Sequence, residues 1–132
     1  MANSNFPFGL RLVQNMLSSS YGGVIQQFSV PTSDGTAIYV GDPVKRVTTS
    51  QFINGQVLGD IAQAATGDVI VGVVVGFLAD TRDSLIYRAA STQRIALVCI
   101  DPNAMFEIQQ VTGGTPLTAN DVGLNANFVV AA

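Results

Sequence analysis

Two aspartates, Asp80 and Asp83, lie close together in the stretch ADTRDS, with Tyr87 shortly after them. They are the nearest this chain comes to a set of residues that could do chemistry. A carboxylate pair can serve as acid and base in glycoside hydrolysis, and a neighbouring tyrosine can stack on a sugar. The pair flanks Arg82 in a polar link between two apolar segments, which is the composition of a solvated turn. The ligand spacing of an EF-hand is absent. The sequence contains no histidine, which removes the Ser-His-Asp and Cys-His nucleophile systems and His-ligated zinc. Cys99 is the sole cysteine and sits in the apolar run from Ile95 to Ile100, where it reads as a small buried hydrophobe. One thiol can form neither an intrachain disulfide nor a thiolate metal site. We therefore expect no catalytic residue, no cofactor, no metal and no small-molecule substrate.

The stretch GDVIVGVVVGF, Gly67 to Phe77, offers a second kind of chemistry through its glycines. A phosphate-binding Walker loop requires a lysine followed by Ser or Thr after its last glycine, whereas Gly76 is followed by Phe77-Leu78. The dinucleotide fingerprint requires a helix next, and the β-branched residues here disfavour one. A membrane span from Ile61 to Ala79 would place Asp68 near its centre, with no basic flanks to set an orientation. The remaining reading is Thr66-Gly67-Asp68 as a turn, followed by a strand from Val69 to Phe77. Gly72 and Gly76 then mark points where the sheet bulges, bends or meets another backbone.

The elements that must carry these residues are strands. Val, Ile, Phe and Thr fill short apolar segments bounded by glycine, proline, Asn or Asp, which predicts an all-β domain, in size a single one. VIQQFSVPTSDGTAIYVGDPVKRV reads as strand, turn, strand, turn, strand, with Asp34-Gly35 as a tight hairpin and Asp42-Pro43 as a bend. Thr48 to Gly59 is polar and reads as a surface loop or small hairpin turning at Asn54-Gly55. RIALVCIDPNAMFEIQQV reads as a hairpin around Asp101-Pro102-Asn103. Its first strand, Ile95 to Ile100, is apolar on both faces and should be central, or else have one face in an interface. Thr118 can cap a single helical turn, ANDV, stopped by Gly123.

The ends differ from the middle. Residues 1–22 carry Phe6, Phe8, Leu10, Leu12 and Val13 at spacings that fit neither helix nor strand throughout, and predict an extended arm lying on a neighbouring subunit, with a first strand or short helix of the same domain as the alternative. Residues 23–132 form the β domain. The apolar ending NFVVAA, with Phe128, Val129 and Val130, should pair with a neighbouring strand or belong to a longer chain.

Only 11% of residues are charged, against a usual share of about a quarter. So little charge implies that much of the surface meets other protein. The net charge is −3, and Lys45-Arg46 is the only basic pair, so phosphate-driven binding to nucleic acid is not expected. The start MANSNF lacks the pattern of a secretory signal, which points to assembly in a cytoplasm.

In their order, FSVPTSDGTAIYVGDPVKRV, GDVIVGVVVGF, YRAASTQRIALVCIDPNAMFEIQQ and NDVGLNAN resemble the small capsid cement, or head decoration, proteins of podovirus-like tailed bacteriophages. The resemblance runs from about Phe6 to Asn127, and PFGLRLV resembles the family's N-terminal opening. It implies a β-barrel or jelly-roll-like subunit on the outside of an icosahedral head. There it would bridge neighbouring major capsid proteins, associate with itself as a dimer or trimer, and stiffen the shell against packaged DNA. Two other readings share the composition: another virion β-domain of tail or head fibre, and a carbohydrate-binding module using Asp80, Asp83 or Tyr87.

Overall fold

The computed structural model describes residues 8–16, 24–110 and 115–129. Within them the chain forms β1 (Arg11–Asn15), β2 (Ile25–Val30), β3 (Pro43–Ile53), β4 (Gln56–Gln63), β5 (Gly72–Phe77), β6 (Arg94–Cys99) and β7 (Ala104–Glu107), and then a 3-10 turn at Ala119–Asp121. The domain is all-β. Strands β2-β4-β3-β5-β6 close into a barrel, with β6 pairing back onto β2. Of the two forms expected, this is the barrel; a jelly roll would need two packed sheets of an eight-strand Greek-key pattern. Pairing is antiparallel except between β2 and β4, which meet in parallel at Ser29 and Asp60.

As its two apolar faces predict, β6 is central. It pairs with β2 from Arg94 to Cys99 and with β5 on the other side, and most of it is buried, Cys99 included. The core consists of Phe28, Val30, Ile38, Val44, Ile61, Val74, Ala96 and Val98. One branched side chain after another from each strand fills a barrel of this size with no channel left over.

The β3–β4 hairpin turns at Asn54 (φ 51°) and Gly55 (φ 81°), the pair of positive φ values that a type I′ turn demands. It is longer than the expected polar loop, because Thr48 to Gly59 lies almost wholly within strands. Gly72 meets the expectation of a close backbone approach: a Cβ there would stand 2.2 Å from the Cys99 carbonyl oxygen. Gly76 follows the register shift between β5 and β6. The strand is shorter than predicted, since Val69 to Val71 is irregular, although Val71 still donates to the Val44 carbonyl at 2.9 Å.

Two local readings are corrected. Asp34-Gly35 makes no hairpin: Gly35 does not take a positive φ, Asp34 Oδ1 accepts from Thr36 N at 2.9 Å, and the strand expected next is a single bridge between Ile38 and Arg88. The Asp101-Pro102-Asn103 turn forms, with Ala104 N donating to Asp101 O at 3.2 Å, but β6 and β7 do not pair. Both sides of β6 are occupied within the closed barrel, so β7 leaves it and pairs with β1 instead. Residues 124–129 have no regular secondary structure within the chain itself.

Candidate functional site: an exposed apolar surface

Residues with catalytic potential are not brought together. Asp80 and Asp83 are both exposed on the connection between β5 and β6. Asp80 lies 3.6 Å from Arg94 Nε, and the Ser84 hydroxyl accepts from the backbone N–H groups of Asp80 and Thr81 at 2.8 Å each, so this stretch is a turn tied to itself. Tyr87 stacks on Tyr39 with ring centroids 4.8 Å apart, which covers one face of its ring. Among the described residues no group of His, Cys, Asp and Glu is placed to hold a metal ion, and no helix is long and apolar enough to cross a membrane. A shallow groove of about 270 Å³ is lined by Thr66, Gly67, Asp68, Asn127 and Phe128, where the C-terminal segment returns to the turn before β5.

Two buried arginines, which the sequence reading did not single out, build the surface of that β5–β6 connection. Arg88 is fully buried and donates to four main-chain carbonyls: Pro31 and Asp34 at 2.7 Å, Thr36 at 2.6 Å and Thr92 at 2.7 Å. Burial pulls its guanidinium below the ordinary value, and the nearby Asp34 charge opposes this. Arg94 donates to the carbonyls of Leu78 at 3.0 Å, Leu85 at 3.1 Å and Tyr87 at 3.2 Å. Only a guanidinium has enough donors in a planar fork to satisfy a loop in this way. The loop so held displays Ile86 at 87% exposure.

Asp60 does similar work for the β3–β4 hairpin. It is fully buried, and its carboxylate accepts from the hydroxyl of Ser29, from Thr49 Oγ1 at 2.6 Å and from Gln51 Nε2 at 3.2 Å. These bonds tie the irregular part of β3, between Arg46 and Ser50, to β2. Beyond this anchor the cross-strand pair Phe52 and Val57 is 75% and 70% exposed. By strand alternation Val57 shares a face with Gly59, over which the Arg46 guanidinium lies, so the exposed pair at the hairpin tip is set off from the core by a charged group.

The predicted contact residues are placed as follows. Phe6 and Val130 lie outside the described residues. Phe8 and Val13 are exposed, Leu10 and Leu12 are half-buried, and β1 satisfies its backbone on β7 of its own chain. The Arg11 guanidinium pairs with Glu107 across that ribbon and also covers the Phe8 ring at 4.8 Å. At the other end Phe128 is half-buried and Val129 exposed, and the segment before them also exposes Leu117, Val122 and Leu124. That segment has defined local structure: Asp121 accepts from Thr118 N at 2.8 Å, and Gly123 sits at φ 88°.

No protein-family model, no curated protein and no solved structure matches the chain. Its function therefore rests on its own surface. The missed elements of that surface, Phe52 with Val57 and Leu85 with Ile86, had one legible signal: large apolar residues set in otherwise polar, turn-rich stretches.

Proposed function

We propose that this chain is a structural capsid-decoration (cement) protein that binds the outside of an icosahedral tailed-phage head and bridges neighbouring major capsid proteins. The observation that carries the reading is the set of large apolar side chains left exposed on anchored elements: Phe52, Val57, Val69, Ile86, Val122 and Leu124 each have 69% or more of their surface in water. Single exposed apolar residues are ordinary, but many of them on a chain with 11% charge mark a surface that other protein covers. The closed barrel supplies the body, and the β1–β7 ribbon, the β3–β4 tip and the C-terminal segment present exposed apolar side chains beside it. A cement protein acts by adhesion at several points, and needs no titratable site, nucleic acid, membrane or cofactor. The order of segments that resembles podovirus-like head proteins supports the same reading.

Co-sedimentation of the purified chain with assembled heads tests the proposal. Saturable binding at a copy number commensurate with the major capsid protein is the expected result. A chain that stays in the supernatant at every concentration contradicts it.

A further inference from the structure

We infer that the free edge of β3 at the hairpin tip is a self-association site, where a second copy of this chain adds its own β3 antiparallel to the first. On the barrel side β3 pairs with β5 only at Pro43 and Val44. Antiparallel geometry explains why: as β3 advances, its neighbour recedes into the turn at residues 66–68, where Lys45 meets Asp68 at 2.8 Å, and past that point the neighbour has ended. Among the described residues, Ser50 to Ile53 thus pair with β4 on one side and with no strand on the other. The backbone groups along that side are a template for another strand.

The occupant is argued from charge. From Val47 to Gly59 no residue is charged, and the stretch contains no proline. Monomeric proteins commonly guard such an edge with lysine or proline, and neither is present. A two-fold interface sets every residue near the axis against its own copy, so a charged edge would repel itself while a neutral one does not. The exposed Arg46 guanidinium lies over Gly59 on the β4 side, away from the free edge, so the edge from Ser50 to Ile53 itself carries no charge for an oppositely charged partner to select. The register shift between Arg46 and Ser50 limits the flat edge to the tip, so the paired segment is short and its side chains must contribute. Phe52 and Val57 are suited to this: in a four-strand β4-β3-β3-β4 sheet with even register, both copies of the pair share one face and form a single apolar strip.

The proposal concerns the isolated chain, so its test needs no capsid and its outcome is independent of the capsid reading. Sedimentation equilibrium over a dilution series is expected to give a two-fold mass that falls to the monomer on dilution. Phe52→Lys and Ser50→Lys, both at exposed positions, should weaken the dimer at least about tenfold with the melting temperature of the monomer little changed. Ile86→Lys, on a different exposed loop, should leave it intact. Hydrogen exchange on the unaltered protein gives a second reading that does not depend on the variants folding: the alternate amides between Ser50 and Ile53 that point away from β4 should be protected at high concentration and exposed on dilution. A monomer at all concentrations, a dimer unaffected by both edge substitutions, disruption by Ile86→Lys instead, or edge amides indifferent to concentration would each overturn the inference.

Discussion

Arg88 holds together parts of the chain that no regular sheet connects. Its guanidinium satisfies carbonyls at Pro31, Asp34, Thr36 and Thr92, so removing it strands part-buried acceptors as well as deleting bonds. Arg88→Met is expected to cost about 3–5 kcal/mol in denaturant unfolding, and Arg88→Lys should recover only part, since an ammonium cannot fork to four carbonyls. A loss under about 1 kcal/mol for the methionine variant would show that those carbonyls find other donors. Titration separates two aspartates. Burial raises the Asp42 carboxyl above its ordinary 3.8, with hydrogen bonds from Tyr39 and Gln63 opposing, so its contribution to stability is complete below 3.8 and lost as pH rises through the raised value. The hydrogen bond from Lys45, and then that from Ala65, lowers Asp68, so its contribution is present above 3.8 and lost as pH falls through the lowered value. Melting curves across acidic pH should therefore show Asp42→Asn gaining on the unaltered protein as pH rises above 3.8. Lys45→Met should flatten the loss below it; the opposite slopes would refute these assignments. None of these partners was legible in the sequence. An arginine in YRAAS or an aspartate in VLGDIAQ looks like a surface residue until distant segments converge on it. Cys99 was legible, because the alternation around it already placed it inside.

Elements were legible where short-range chemistry decides them and obscure where closure does. Asn54-Gly55 needed only its own φ preferences, and so did the Thr66-Gly67-Asp68 turn, the Asp101-Pro102-Asn103 turn and the capped turn at Thr118. Which strand each turn delivers to which partner is a property of the barrel. The two strands flanking Asp101 look like a hairpin, yet β6 has no free side, and the apolar N-terminal strand takes the place beside β7. Asp34-Gly35 failed for the opposite reason: the Arg88 cage sets the local backbone and overrides the turn preference of the pair. Gly72 belongs to this scale, since its missing side chain lets β5 approach β6 closely enough to close the sheet. Gly72→Val would drive a branched side chain against the Cys99 carbonyl and is expected to lower unfolding stability by at least about 2 kcal/mol. Unchanged stability would show that β5 can shift without cost.

At the scale of the molecule, a closed sheet with few charges carries ribbons and a terminal segment whose apolar side chains its own core does not cover. Composition announced that imbalance before any element was placed. It could not say where the exposed residues gather, because exposure at Phe52, Ile86 and Val122 depends on the anchors that hold their segments away from the core. The proposed adhesion at several points predicts that no single surface substitution abolishes binding to shells, whereas changes at both the Ile86 loop and the C-terminal segment together should. The most direct measurement is a cryo-electron microscopy map of assembled tailed-phage heads saturated with the purified chain. Density for the barrel is expected on the outer surface at icosahedrally repeated positions, each contacting more than one major capsid protein. Bare shells at saturating chain would contradict the proposal.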